Sequence, residues 1–183
     1  PLATQPVAVS DESGCDQLIF NSRCAINLAN YLRGLDGKTA VIAKGCDSRN
    51  INTHIVENQV ERDQLVIIGV PCTGMVDKYL VQEQFDEEIV TFTDNGNTID
   101  ISTVSNNKTI DKSDVLKHNC RYCMHRNPVV HDVMAGDPVE EQNLDNPFPD
   151  VDEIEAMDTE DKWAHYQALT RNCIRCYACK NAC

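Results

Sequence analysis

A chain of 183 residues has room for one ordinary domain and a small appendage. Its 42% hydrophobic and 25% charged content describes a globular chain, and no apolar run is long enough to cross a bilayer. A net charge of −13, from 29 acidic and 16 basic residues, argues against nucleic acid as a partner, because phosphate binding needs a basic surface.

In chain order, Cys24 to Leu32 reads as a helix, with Leu28, Tyr31, Leu32 and Leu35 at helical spacing and Gly34 and Gly37 as stops. Thr39 to Ala43 is a short β-rich run suited to a buried strand. Gly45-Cys46-Asp47-Ser48 turns the chain. Asp47 or Ser48 is the expected cap of a helix over Asn50 to Val60, with Ile51, Ile55 and Val56 facing in. Leu65 to Val70 is a second buried strand. Strand, turn, helix, strand is the order of a βαβ crossover, so the two strands are expected to run parallel. Cys46 and Cys72 then sit just past the carboxyl ends of neighbouring strands, where open α/β sheets place ligands.

A weak helical stretch follows Gly74 and runs to Leu80. Glu88 to Thr93 and Thr98 to Thr103 read as strands around Asp94-Asn95-Gly96-Asn97, whose Asn-Gly pair signals a hairpin. Lys112 to His118 predicts a helical turn before Cys120. Asp137 to Asp152 holds Pro138, Pro147 and Pro149 among acids and amides, which predicts a linker. Thr159 to Thr170 predicts a helix capped by Asp158 or Thr159, with Trp163, Tyr166 and Leu169 on one face. The expected fold class is α/β: a small parallel or mixed sheet with crossover helices over 1–137, and an acidic linker over 138–157. A helix and the start of a ferredoxin-like segment follow over 158–183.

Ten cysteines is a high count, and metal or cluster ligation in a reducing compartment explains it better than a secreted disulfide scaffold. With no secretory leader pattern in view, a cytoplasmic location is expected. Cys173, Cys176, Cys179 and Cys183 are spaced C-x2-C-x2-C-x3-C, the run found in bacterial ferredoxins. Three thiolates two residues apart fit one [4Fe-4S] cube, and the fourth ordinarily serves a second cube. The run is half of a two-cluster module, so the natural chain is expected to continue past Cys183. Ile174, Tyr177 and Ala178 are apolar or small and are expected to screen the cluster from water. Structural zinc favours two separated cysteine pairs, which suits this unbroken run poorly.

Cys120 and Cys123 form another C-x2-C pair. With Cys46 and Cys72 they supply soft ligands from three loops, enough for a second cube, and zinc is the alternative for this set. Lys44, Arg49, Arg121 and Arg126 lie close in sequence and would offset a cluster's negative charge or bind an anionic cofactor. Cys15 and Cys24 have no partner motif and read as structural, though Cys24 opens the expected helix. The histidines lack metal-site spacing, and no glycine-rich phosphate loop or nucleophile elbow is present.

The order Lys44-Gly45-Cys46-Asp47-Ser48-Arg49, Gly69-Val70-Pro71-Cys72 and Cys120-Arg121-Tyr122-Cys123, followed by Gly136-Asp137, resembles the beta subunits of coenzyme F420-reducing hydrogenase and formate dehydrogenase. Those proteins share a K-x-C-D-x-R turn, a G-x-x-C turn and a late C-x2-C before a G-D pair. The tail looks like the ferredoxin-type portion of the formate dehydrogenase branch. The resemblance covers roughly 24–137 and 172–183, by motifs in register. It implies an iron–sulfur flavoprotein that moves electrons between a partner's redox centre, clusters, FAD and the deazaflavin. It also implies that Cys46, Cys72, Cys120 and Cys123 ligate the core cluster. Lys44 and Arg49 match the family turn and are the candidate cofactor-binding residues. Where the flavin-bearing family continues with a long α/β segment, this chain has a proline-rich acidic stretch, so FAD and deazaflavin are secondary expectations.

The leading expectation is an iron–sulfur electron-transfer subunit of an anaerobic oxidoreductase complex, with two or more [4Fe-4S] clusters. Its partners would be redox subunits of formate dehydrogenase, hydrogenase or heterodisulfide reductase type. No residue is required as acid, base or nucleophile. The alternatives are an FAD-dependent F420 oxidoreductase and a zinc-stabilised interaction module.

Overall fold

The structure is a computed structural model that describes residues 2–182. The chain forms two compact units that divide between Leu144 and Asp145.

The first unit is mixed α/β, with one parallel and one antiparallel sheet of three strands each. Its N-terminal segment is irregular apart from the four-residue helix α1 (Glu12–Cys15). The helix expected from Cys24 is reduced to one 3-10 turn over Leu28–Tyr31, and Cys24 lies outside it. Asn27 caps this turn by accepting from the Ala29 amide, and Gly34 and Gly37 at positive φ end any continuation. A single turn buries Ala29 and Leu32 and leaves Tyr31 half-exposed, so a longer helix has no apolar face to cover.

Strand β1 (Thr39–Ala43) runs directly into helix α2 (Gly45–Val56). The helix starts five residues earlier than expected. Its cap is Lys44, and Asp47 reaches back from the third helical position to accept the Lys44 amide. Ile51 faces the core, Ile55 packs at its margin, and Val56 points to water at 72% exposure, against expectation. Asn58 at φ 55 follows the end of the helix.

Strand β2 (Leu65–Gly69) pairs parallel with β1, Thr39 against Leu65 through Ala43 against Gly69, as a βαβ unit requires. The core here joins Val41, Ala43, Ile51, Leu65 and Ile67 with Ala29 and Leu32. Burying a residue such as Ile51 or Ile67 contributes roughly 1.5–3 kcal/mol. The short helix α3 (Lys78–Gln82) follows, capped by Asp77.

Strands β3 (Thr91–Asp94), β4 (Thr98–Ser102) and β5 (Asn107–Asp111) form an antiparallel meander. Gly96 at φ 92 makes the expected β3–β4 hairpin. Sequence reading missed β5, because its alternation is carried by Ile110 alone. Ile99, Ile101 and Ile110 bury with Val76, Val81, Ile89 and Val115 in a second core. A 3-10 turn (Lys112–Val115) and helix α4 (His118–Arg121) replace the single turn expected over 112–118. Strand β6 (Val133–Met134) adds in parallel to the free edge of β2.

The second unit holds α5 (Pro149–Ala156), α6 (Thr159–Thr170) and α7 (Ala178–Ala182). Helix α5 occupies part of the segment expected to be linker. Pro149 opens it, where a missing N–H is harmless, and acids fill its first turn. Helix α6 has its expected bounds, with Asp158 accepting from the Asp161 amide. Trp163, Tyr166 and Leu169 stand exposed on it. Among the described residues no helix is long and apolar enough to cross a membrane.

Candidate metal centre

The first site is built where β1 and β2 end. Gly45 opens α2 one residue after β1, which makes Cys46 the second residue of the helix. A side chain at Gly45 has no room: its Cβ would lie 2.5 Å from the His125 carbonyl oxygen and 3.1 Å from that of Asn127. The backbone after Cys123 therefore presses on the start of α2. Ser48 donates to the Gly45 carbonyl at 2.9 Å and accepts from the Val129 amide at 3.0 Å. The Cys72 amide donates to the Arg126 carbonyl at 3.0 Å, so the same backbone meets both strand ends.

A second set of contacts joins the Cys72 and Cys120 loops. The Lys117 amide donates to Met75 at 2.8 Å. Gly74 sits at φ +106, and a Cβ there would fall 2.7 Å from Leu116 Cδ2 and 3.7 Å from Cys120 Cβ. The backbone of 126–127 is strapped from outside by residues 139–142, part of the expected linker. Asn127 donates to the Val139 carbonyl at 2.7 Å and accepts from the Val139 amide at 3.0 Å. The Glu141 carboxylate takes the Arg126 and Asn127 amides, and Gln142 donates to the Arg121 carbonyl at 2.6 Å.

Three of the four thiols, those of Cys46, Cys72 and Cys120, are held above the ordinary thiol value, in each case chiefly by burial. Burial pushes the Cys46 thiol up to about 11, although its outer face is exposed. The Asp47 carboxylate and charge on Cys72 and Cys120 push the same way, and Lys44 opposes them. Cys72 is raised by burial and by Cys120 and Cys123, against the Gly74 amide and Lys44. Cys120 is raised by burial and by Cys123, against the Met75 amide, Lys117 and Lys44. Among the described residues, no group of three or more His, Cys, Asp or Glu is gathered in the geometry of a single metal ion.

In the second unit, Cys173, Cys176 and Cys179 lie exposed between α6 and α7. Arg175 and Tyr177 take positive φ values of 56 and 59, which coil the backbone tightly. The Arg175 amide donates to Cys173 Sγ at 3.4 Å. Ile174 and Tyr177 are 84% and 63% exposed, so the expected screening of these sulfurs is not present. Cys183 lies outside the described residues.

Lys44 is buried, with its ammonium held by Asp47 at 2.7 Å and the Ile26 carbonyl at 3.0 Å. Arg49 lies half-buried on α2. Cys15 and Cys24 sit in the N-terminal segment, and all nine described cysteines are unpaired.

Sequence reading missed a latch beside Cys72. Buried Lys112 donates to Thr73 Oγ1 at 3.0 Å and to Asp94 Oδ2 at 3.3 Å, and Asp94 also accepts the Ser22 amide at 3.1 Å. The signal was the Asp of the hairpin turn, read only as turn chemistry. Burial raises the Asp94 carboxyl, but Ser22, the Gly96 amide and Lys112 outweigh it and hold it below 3.8. A depressed carboxyl contributes stability above its unfolded value and loses it as pH falls through the folded one. Asp94→Asn is therefore expected to lower the melting temperature at pH 7, with the gap closing as pH falls below 3.8. Paired thermal melts across pH check this, and a gap that is independent of pH would contradict it.

No family model matches the chain, and no curated protein matches it.

Proposed function

We propose that this protein is an iron–sulfur electron-transfer subunit of a redox complex. What supports the reading is the placement of the cysteines: Cys46 opens α2 past the end of β1, Cys72 follows β2, and the backbone just after Cys123 packs on Gly45 and accepts the Cys72 amide. The donor set is all-thiol, which suits iron–sulfur cubes and zinc and excludes hard cations. Hydrogen bonds to sulfur favour the charged, ligated state and raise a cluster's potential. Nine unpaired cysteines fit a reducing, cytoplasmic setting.

In this reading Cys46, Cys72, Cys120 and Cys123 hold one [4Fe-4S] cluster, and Cys173, Cys176 and Cys179 hold another. Cys183 serves a further cube, as in two-cluster ferredoxins. When bound, each cluster supplies one-electron transfer. The chain's own residues do the rest. The strapped loops would fix the core thiols, and the Arg175 amide donates to the Cys173 sulfur. Substrate chemistry belongs to a partner subunit, of the formate dehydrogenase, hydrogenase or heterodisulfide reductase kind that the motif order suggests. An FAD-dependent F420 oxidoreductase is the second reading, favoured by the Lys44–Arg49 turn alone. Against it, the Lys44 ammonium is already engaged, and helix α5 stands where the flavin-bearing family continues its α/β fold.

An absorption spectrum of anaerobically purified protein tests this. A broad cluster shoulder that bleaches on reduction, without flavin bands, is expected. Stoichiometric flavin bands would overturn the relay reading in favour of the enzyme.

A further inference from the structure

We propose that this protein binds a short-chain carboxylate in a cavity of about 230 Å³ whose lining brings together Arg23, Lys78 and Lys117. The proposal is independent of the iron–sulfur reading. The chain carries 29 acidic and 16 basic residues, yet three cations and a single acid, Asp77, meet on this lining. Asp77 is engaged elsewhere, since its Oδ1 accepts the Tyr79 amide at 2.8 Å. Among the described residues the ion pairs are Lys44–Asp47, Arg62–Asp132 and Lys112–Asp94, so neither Lys78 nor Lys117 has a carboxylate partner. The Lys78 ammonium rests 4.9 Å from the ring centre of its neighbour Tyr79. Arg23 is held in place, with Nε donating to Asn21 Oδ1 at 3.3 Å and the guanidinium 5.0 Å over the Phe92 ring.

The walls of the cavity are tied to one another before any ligand arrives. Thr4 Oγ1 donates to the Arg23 carbonyl at 2.9 Å, and the Val76 amide donates to the Ser22 carbonyl at 2.8 Å. The Asp77 amide donates to the Val115 carbonyl at 2.7 Å, and the Lys117 amide to the Met75 carbonyl at 2.8 Å. A pocket fixed in this way costs little ordering on binding. Cations gathered in a recess focus a positive potential there, and a carboxylate meets it with charge-assisted hydrogen bonds. Leu2, Ala25, Ile26 and Val76 supply apolar wall for a short hydrocarbon tail. The volume equals that of roughly seven waters at about 30 Å³ each, which admits a short acid and is too small to enclose a dinucleotide.

The test is calorimetric titration of the protein at neutral pH and low salt with butyrate, with the uncharged isostere butyramide and with inorganic phosphate. Butyrate is expected to bind at one site, more tightly than phosphate, and butyramide to give no heat. Lys117→Met and the exposed Lys78→Met are each expected to weaken butyrate binding about tenfold, the size of a lost hydrogen bond to a charged group. Lys117→Arg should keep most of the affinity. Lys38→Met, which removes an exposed cation away from the cavity, should leave it unchanged and so separates the site from net charge. Should Lys117→Met fail to fold, Lys78→Met carries the test. No heat with butyrate at millimolar concentration, equal binding of butyramide, tighter binding of phosphate, or an affinity that neither lysine variant moves would each overturn the proposal.

Discussion

Cys72→Ser is expected to strip one cube's iron and sulfide from anaerobically prepared protein while the C-terminal run keeps its own. In the proposed reading Cys72 is a ligand of the core cluster, and its own amide is bonded to the Arg126 carbonyl in the backbone behind Cys123. A thiol-to-hydroxyl change removes the soft donor at almost constant size, so the loops should keep their course. The effect on stability is expected to exceed that of the side-chain change alone. A bound metal centre that joins three loops contributes its binding free energy to folding. The melting temperature of the variant should therefore fall below that of the loaded wild type, toward that of the metal-free protein. Cys15→Ser, at an exposed thiol in the N-terminal segment, should leave iron content unchanged. Iron and sulfide assays on the three proteins check this, and equal iron in wild type and Cys72→Ser would contradict it.

Gly45→Ala is the second large effect, and it acts through the backbone. The added methyl would meet the His125 and Asn127 carbonyl oxygens at 2.5 and 3.1 Å, and neither is the far end of a flexible side chain. Overpacking of this kind costs about 1–3 kcal/mol. Relief requires the start of α2 to move from the 125–127 backbone, which separates Cys46 from the Cys123 side of the rim. Loss of stability and loss of cluster uptake should therefore appear together. Gly34→Ala is the contrast. Gly34 sits at φ +76 with nothing within 4 Å of its Cβ position, so only the left-handed backbone penalty of about 1–2 kcal/mol applies. Its cluster content should be normal. Denaturant unfolding with iron analysis checks both, and a Gly45→Ala protein of wild-type stability would contradict the packing described.

The parallel strands were legible in the chain because TAVIA and LVIIG are short apolar runs separated by a helix-length segment. That spacing admits one handed connection. The Asn95-Gly96 hairpin was legible for a similar local reason. The helix expected at Cys24 was not formed, since its apolar spacing competes with an Asn27 cap and two positive-φ glycines that confine it to a single turn. The length of α2 was misjudged because Lys44, an unusual cap, is held by Asp47 from inside the helix. The position of Cys46 and Cys72 just past the ends of β1 and β2 was legible from the two apolar runs. What holds them was not. The Gly45 contact spans some eighty residues of sequence, the 139–142 strap uses residues that read as linker, and the Lys112 latch joins a hairpin turn to a loop. Such long-range pairings leave no local pattern.

Quantification of iron, zinc and acid-labile sulfide in anaerobically purified protein tests the central claim most directly. The account predicts iron and sulfide in equal amounts, sufficient for at least two cubes per chain, with little zinc. Zinc without sulfide would contradict it and would make the all-thiol rim a structural zinc site.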